Sequence, residues 1–121
     1  MESRNITEGD LTKKSIESEK HLERLLKHTV ESLMGGLCIK LLSQYMIGLP
    51  DRACLLPGAI VFFVEVKTTG KKPRKIQDYV HRKLRGLGFR VYILDSSDVL
   101  DMILDDYGFK PKYDVHTNTP H

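Results

Sequence analysis

The stretch Gly48-Leu49-Pro50-Asp51-Arg52-Ala53-Cys54-Leu55-Leu56-Pro57-Gly58-Ala59-Ile60-Val61-Phe62-Phe63-Val64-Glu65-Val66-Lys67 decides how this chain folds. A Gly-Leu-Pro-Asp turn ends at Asp51. Asp51–Leu56 then reads as a strand, Pro57-Gly58 as a tight turn, and Ala59–Lys67 as the returning strand. The run Ala59–Val64 is almost continuously apolar and rich in β-branched and aromatic residues, as a strand buried on both faces would be. Two charges close it. Side chains alternate along a strand, so Glu65 and Lys67 share one face and Val64 and Val66 the other. Ions taken out of water are costly unless they are paired or bind a metal, and a metal-dependent active site would account for this placement. The two arms of the hairpin are nearly equal, which lays Asp51 beside Glu65. An Asp after a Pro is also a common turn former, and that structural reading stands beside the functional one.

Upstream, Ile16–Met34 reads as an amphipathic helix with Leu22, Leu26, Val30 and Leu33 at helical spacing, stopped by Gly35-Gly36. Glu19 is in phase with that stripe and is expected toward the core side, where the first helical turn can deliver a carboxylate to a metal; the alternative is that it completes a surface salt bridge. Glu23 is read as one half of a surface pair with Lys27. Leu37–Ser43 is a short strand interrupted by Lys40, which is either an exposed strand residue or a phosphate contact. Downstream, a basic loop over Thr68–Pro73 leads into a helix, Arg74–Leu87, with Ile76, Val80, Leu84 and Leu87 as its buried stripe. Gln77 lies on the inner side of that helix and serves either as a cap or as a site residue. Phe89–Leu94 is a last strand, and a helix capped by Ser96 or Ser97 closes the fold near Gly108.

The 121 residues suffice for one domain, and 40% hydrophobic content with no run near the ~18 apolar residues of a membrane span predicts a soluble, cytoplasmic protein. Cys38 and Cys54 have no metal-ligand spacing and read as small thiols, and the five histidines show no HxxxH pattern. The formal charge of +3 is unevenly spread. From Lys67 to Arg90 nine Lys or Arg residues face the single acid Asp78, so this segment carries +8 and the remainder −5. A charge run is often only a solvated face, but this one begins at the end of the suspected active-site strand and favours a phosphate-binding surface. The acids Asp95, Asp98, Asp101, Asp105 and Asp106 make the closing helix negative, so it is expected to face away from nucleic acid. No GxGxxG or GxxxxGK[ST] loop is present, which argues against a nucleotide-binding domain.

Two or three acids at one end of a sheet suit a hard divalent ion, and a neighbouring lysine suits phosphodiester hydrolysis. Pro50-Asp51 followed by Glu65-Val66-Lys67 is similar to the PD-(D/E)XK nuclease signature. The wider set is more specific: Glu19-x-x-Leu22, Gly35-Gly36, Lys40, Gly48-Leu49-Pro50-Asp51-Arg52, Glu65-Val66-Lys67, Gly70-Lys71, Gln77 and Leu84-x-x-Leu87-Gly88-Phe89. It resembles the VRR-Nuc family, the virus-type replication-repair nucleases in their stand-alone form, over roughly Glu19 to Ile103. The resemblance implies an α/β, restriction-endonuclease-like core in αβββαβ order with a closing C-terminal helix. It implies Mg²⁺ or Mn²⁺ dependence and cleavage of branched DNA, as by Holliday-junction resolvases that act as homodimers. It further implies Asp51, Glu65 and the Val66 carbonyl as metal ligands, Glu19 as a helix-borne acid, Lys67 as the catalytic lysine and Gln77 as its support. Lys40, Lys71, Lys72, Arg74, Lys75 and Arg82 are the candidate DNA contacts. The expected organisation is a flexible segment over 1–15, the nuclease domain over 16–108 and a polar tail over 109–121. Tyr45-Met46-Ile47 and Pro73-Arg74 depart from the family pattern and bear on substrate preference. A flap, fork or nicking nuclease, and a DNA-binding module that does not cut, are the competing readings.

Overall fold

The computed structural model describes residues 16–113, so the 1–15 segment and the tail beyond 113 lie outside the described residues. The first helix, α1 (Glu19–His28), starts later than its apolar stripe suggests because the Ser18 hydroxyl accepts from the His21 N–H at 3.1 Å and caps it. It then widens into a π-helical turn over Thr29–Leu33, with the Met34 N–H bonded to the Thr29 carbonyl. There the Thr29 hydroxyl donates to the Leu25 carbonyl at 2.7 Å, competing with the regular backbone ladder.

Four strands follow the expected order with trimmed ends: β1 (Leu37–Lys40), β2 (Arg52–Leu56), β3 (Ile60–Val66) and β4 (Arg90–Leu94). The helices α2 (Lys75–Gly86) and α3 (Ser97–Asp106) precede and follow β4. The sheet order is β1-β2-β3-β4, antiparallel for the first two pairs and parallel between β3 and β4. The chain must cross over to make that parallel pair, and α2 is the crossover. Thus β2 and β3, which carry the suspected site, are the two inner strands.

One face of the sheet is dry. Leu22, Leu26, Cys54, Phe62, Val64, Val66, Leu94, Leu100 and Ile103 pack together as α1 and α3 cover it. The helix α2 covers the other face through Gln77, Val80 and His81, mainly over β4. Ile76 and Leu87 are exposed, against expectation, because the inner face of α2 is rotated toward Gln77 and His81. The same partial cover leaves Leu37, Ile39 and Leu55 exposed on β1 and β2. Asp101, one of the acids of the closing helix, is buried, and its Oδ1 accepts the Lys112 and Tyr113 N–H groups at 2.6 and 2.7 Å. These bonds hold the chain to the domain as far as Tyr113, whose hydroxyl lies 3.0 Å from that of Thr29. Among the described residues no helix is long and apolar enough to cross a membrane.

Candidate active site

The register Arg52↔Val64 sets Asp51, one residue before β2, beside the end of β3, where its Oδ2 accepts the Val66 N–H at 2.7 Å. The loop that delivers Asp51 is wedged against α2. A Cβ on Gly48 would stand 2.7 Å from both the Ile76 carbonyl oxygen and Val80 Cγ2, and its φ of +94° is one that glycine adopts freely.

Glu65 projects from β3 toward α2 and is 2% exposed. Its Oε2 accepts from Gln77 Nε2 at 2.8 Å and lies 3.4 Å from Lys67 Nζ. The Gln77 amide also accepts the Arg74 N–H at 2.9 Å through Oε1, so this residue caps α2 and supports Glu65 at once. Glu65 Oε1 is buried with no hydrogen-bond partner, and 3.8 Å away lies His81 Nε2, equally buried and unpartnered. A buried carboxylate oxygen without a donor is costly unless a cation meets it.

Asp51 is pushed above the usual carboxylate range, first by burial and then by the negative charges of Glu65 and Glu19. The Val66 N–H and the charge of Arg52 oppose this rise. Glu19 itself is exposed at the start of α1, contrary to its expected core-side orientation, yet close enough for its charge to act on Asp51. Glu23 pairs with Arg52 at 3.3 Å instead of with Lys27.

Asp51, Glu65, Val66, Lys67 and Gln77 therefore meet at one end of the inner strands, with Glu19 at their margin. Lys71, Lys72, Arg74, Lys75 and Arg82 are exposed on the loop after β3 and on α2. Arg82 is tied to Asp78 at 3.1 Å. Lys40 stands apart from that group, on the opposite face of the sheet beside α1. Among the described residues no group of three His, Cys, Asp or Glu is arranged to hold a metal. Two carboxylates and the Val66 carbonyl are the oxygens available here to a cation, and Mg²⁺ commonly takes one or two carboxylates, completing its shell with water and phosphate oxygens.

His81 lies at this site although no expected role falls on it in the sequence. Its signal was the spacing Gln77-x-x-x-His81, which puts both side chains on the inner face of one helix, but the histidines were read only for metal-binding patterns.

No family model matches the chain. It is 38% identical over 79 residues to "Putative nuclease p44" of Acyrthosiphon pisum secondary endosymbiont phage 1, an alignment spanning 64% of this chain and 85% of that protein. A solved structure described as a VRR_NUC domain superposes with a TM-score of 0.63 at 30% identity, covering 75% of this chain and 99% of that one.

Proposed function

Since the chain belongs to the VRR-Nuc family, we propose that it is a divalent-metal-dependent endonuclease of branched DNA, resembling a Holliday-junction resolvase of replication and repair. The observation that carries this reading is Glu65: a fully buried carboxylate, one oxygen fixed by Gln77 and the other without a donor, beside a second acid whose ionisation burial opposes. Such a pair gains most from a bound cation.

Asp51 and Glu65, with the Val66 carbonyl, would hold the ion, and Glu19 would reach it directly or through water. Bound there, Mg²⁺ or Mn²⁺ would polarise the scissile phosphodiester and acidify a coordinated water. The Lys67 ammonium, 3.4 Å from Glu65, orients the attacking water and balances the charge that builds on the pentavalent phosphorus. Gln77 keeps Glu65 in its rotamer. Lys71, Lys72, Arg74, Lys75 and Arg82 neutralise backbone phosphates on the α2 side.

The test is cleavage of labelled four-way junction, fork, flap and plain duplex DNA with Mg²⁺, Mn²⁺ or chelator, comparing the wild type with Glu65→Ala. Paired, metal-dependent nicks confined to the junction are expected. Glu65→Ala is expected to lose cutting and keep binding. Unchanged cutting by this variant would sink the assignment, and binding without cutting under any metal would make the protein a non-catalytic DNA-binding module.

A further inference from the structure

On the opposite side of the sheet from α2, a depression of about 300 Å³ lies between α1 and the paired strands β1 and β2. Glu23, Arg24, Lys27, Cys38, Lys40 and Arg52 line it, four cations against one acid. Arg52 forms its floor, 9% exposed, with its guanidinium held between the Glu23 carboxylate at 3.3 Å and the Asp51 carbonyl at 3.2 Å. Arg24, Lys27 and Lys40 are exposed around it, and none of the ion pairs among the described residues uses them. The other acid nearby, Glu31, accepts the Cys38 N–H at 3.1 Å. The Cys38 thiol is held below its ordinary range, first by the Cys54 side chain and then, against burial, by the charges of Arg52 and Lys27, while Glu31 opposes them. With four cations against one acid in its lining, the depression is electropositive.

Its position gives it a role. Arg52 directly follows Asp51, and Glu23 lies one helical turn beyond Glu19, so the depression opens where the acid cluster ends. The basic loop after β3 begins at the other end of α1, where the Glu17 N–H donates to the Thr69 hydroxyl at 2.9 Å. A DNA strand crossing the carboxylates needs cations beyond them as well, and this depression supplies four along α1, β1 and β2.

We infer that the depression is a phosphate subsite: Arg24, Lys27 and Lys40 grip the DNA backbone beyond the scissile bond, over a floor fixed by the Arg52–Glu23 pair. This rests on the nuclease reading above; of these residues, Lys40 alone is among the DNA contacts expected from the sequence. Concave clefts lined by one sign of charge concentrate counter-ions such as phosphate, and each phosphate contact contributes about 0.9 to the salt slope of binding.

The experiment uses Glu65→Ala protein, so that DNA stays intact, and a labelled four-way junction. Adding Arg24→Ala and Lys27→Ala, both exposed on a helix that tolerates alanine, is expected to lower the slope of log affinity against log salt by about two. In a second measurement, bound junction is expected to slow alkylation of Cys38 by iodoacetamide several-fold, with buried Cys54 as the internal control. An unchanged slope, or a Cys38 rate indifferent to DNA, overturns the subsite while leaving the nuclease reading standing. Failure of the parent protein to bind any DNA overturns both.

Discussion

The two oxygens of the Glu65 carboxylate keep different company, and the difference decides what each neighbour can do. Oε2 is occupied by Gln77 and Lys67, whereas Oε1 looks toward the imidazole of His81 without bonding to it. Groups that orient metal ligands typically matter by about 10–100-fold in metal affinity or activity. Gln77→Leu is accordingly expected to lower cleavage by about that factor, mainly by weakening metal binding, and titration with Mn²⁺ checks it. His81→Leu is expected to cost about tenfold in cleavage at the lower end of that range, with partial rescue by His81→Gln. Full activity of His81→Leu would assign the imidazole to packing alone. Asp51 adds a stability prediction. Because its folded-state pKa lies above the ordinary 3.8, the folded protein holds this proton longer than the unfolded chain. Its contribution to stability is therefore complete below the unfolded value and is lost as pH rises through the folded one. Asp51→Asn keeps an acceptor for the Val66 N–H and carries no charge. Its Tm at neutral pH is expected to exceed that of the wild type in chelator, and Mg²⁺ or Mn²⁺ is expected to stabilise only the wild type. A lower Tm for the variant in chelator would contradict this account.

At the scale of the elements, the site depends on where loops are pressed against helices. Gly48 lets the chain pass over Ile76 and Val80 immediately before Asp51. Gly48→Ala forces both a clash and an unfavourable backbone, and a loss of about 1–3 kcal/mol by chemical denaturation is expected, together with weaker cleavage as Asp51 shifts. Strands and turns were legible in the sequence because their causes are local: β-branched runs, the Pro57-Gly58 turn and the equal arms around it set Asp51 near Glu65. Partnerships made across the fold were not. Arg52 gives no sign in the sequence that it is buried against Glu23, nor Asp101 that it receives the backbone at Lys112 and Tyr113, since those bonds join distant segments. The rotation of α2 likewise turns Gln77, bonded to Glu65, and His81 inward, which a stripe of apolar residues alone does not reveal. Glu19 was placed correctly in chain order but not in depth, because the Ser18 cap starts the helix at Glu19 itself.

For the whole molecule, paired cuts in a four-way junction require two active sites, and the uncovered side of β1 and β2 offers a surface on which a second copy can pair. Leu37 and Leu55, opposite one another in the register, are 53% and 37% exposed there, with Ile39 beside them. Sedimentation equilibrium is expected to give a homodimer, and Leu37→Lys with Leu55→Lys is expected to give monomers that nick junctions singly. A wild-type monomer that still makes paired cuts would exclude this arrangement. The sheet topology also bears on how competence is acquired. Strands β1, β2 and β3 pair in chain order, while β4 joins only after the crossover through α2. Local pairings form before distant ones during folding. The two acids can thus come together while the chain is still being synthesised, but the amide and imidazole behind Glu65 arrive only as α2 and β4 dock. A chain still emerging from the ribosome therefore carries both acids before it carries the amide and imidazole that flank Glu65.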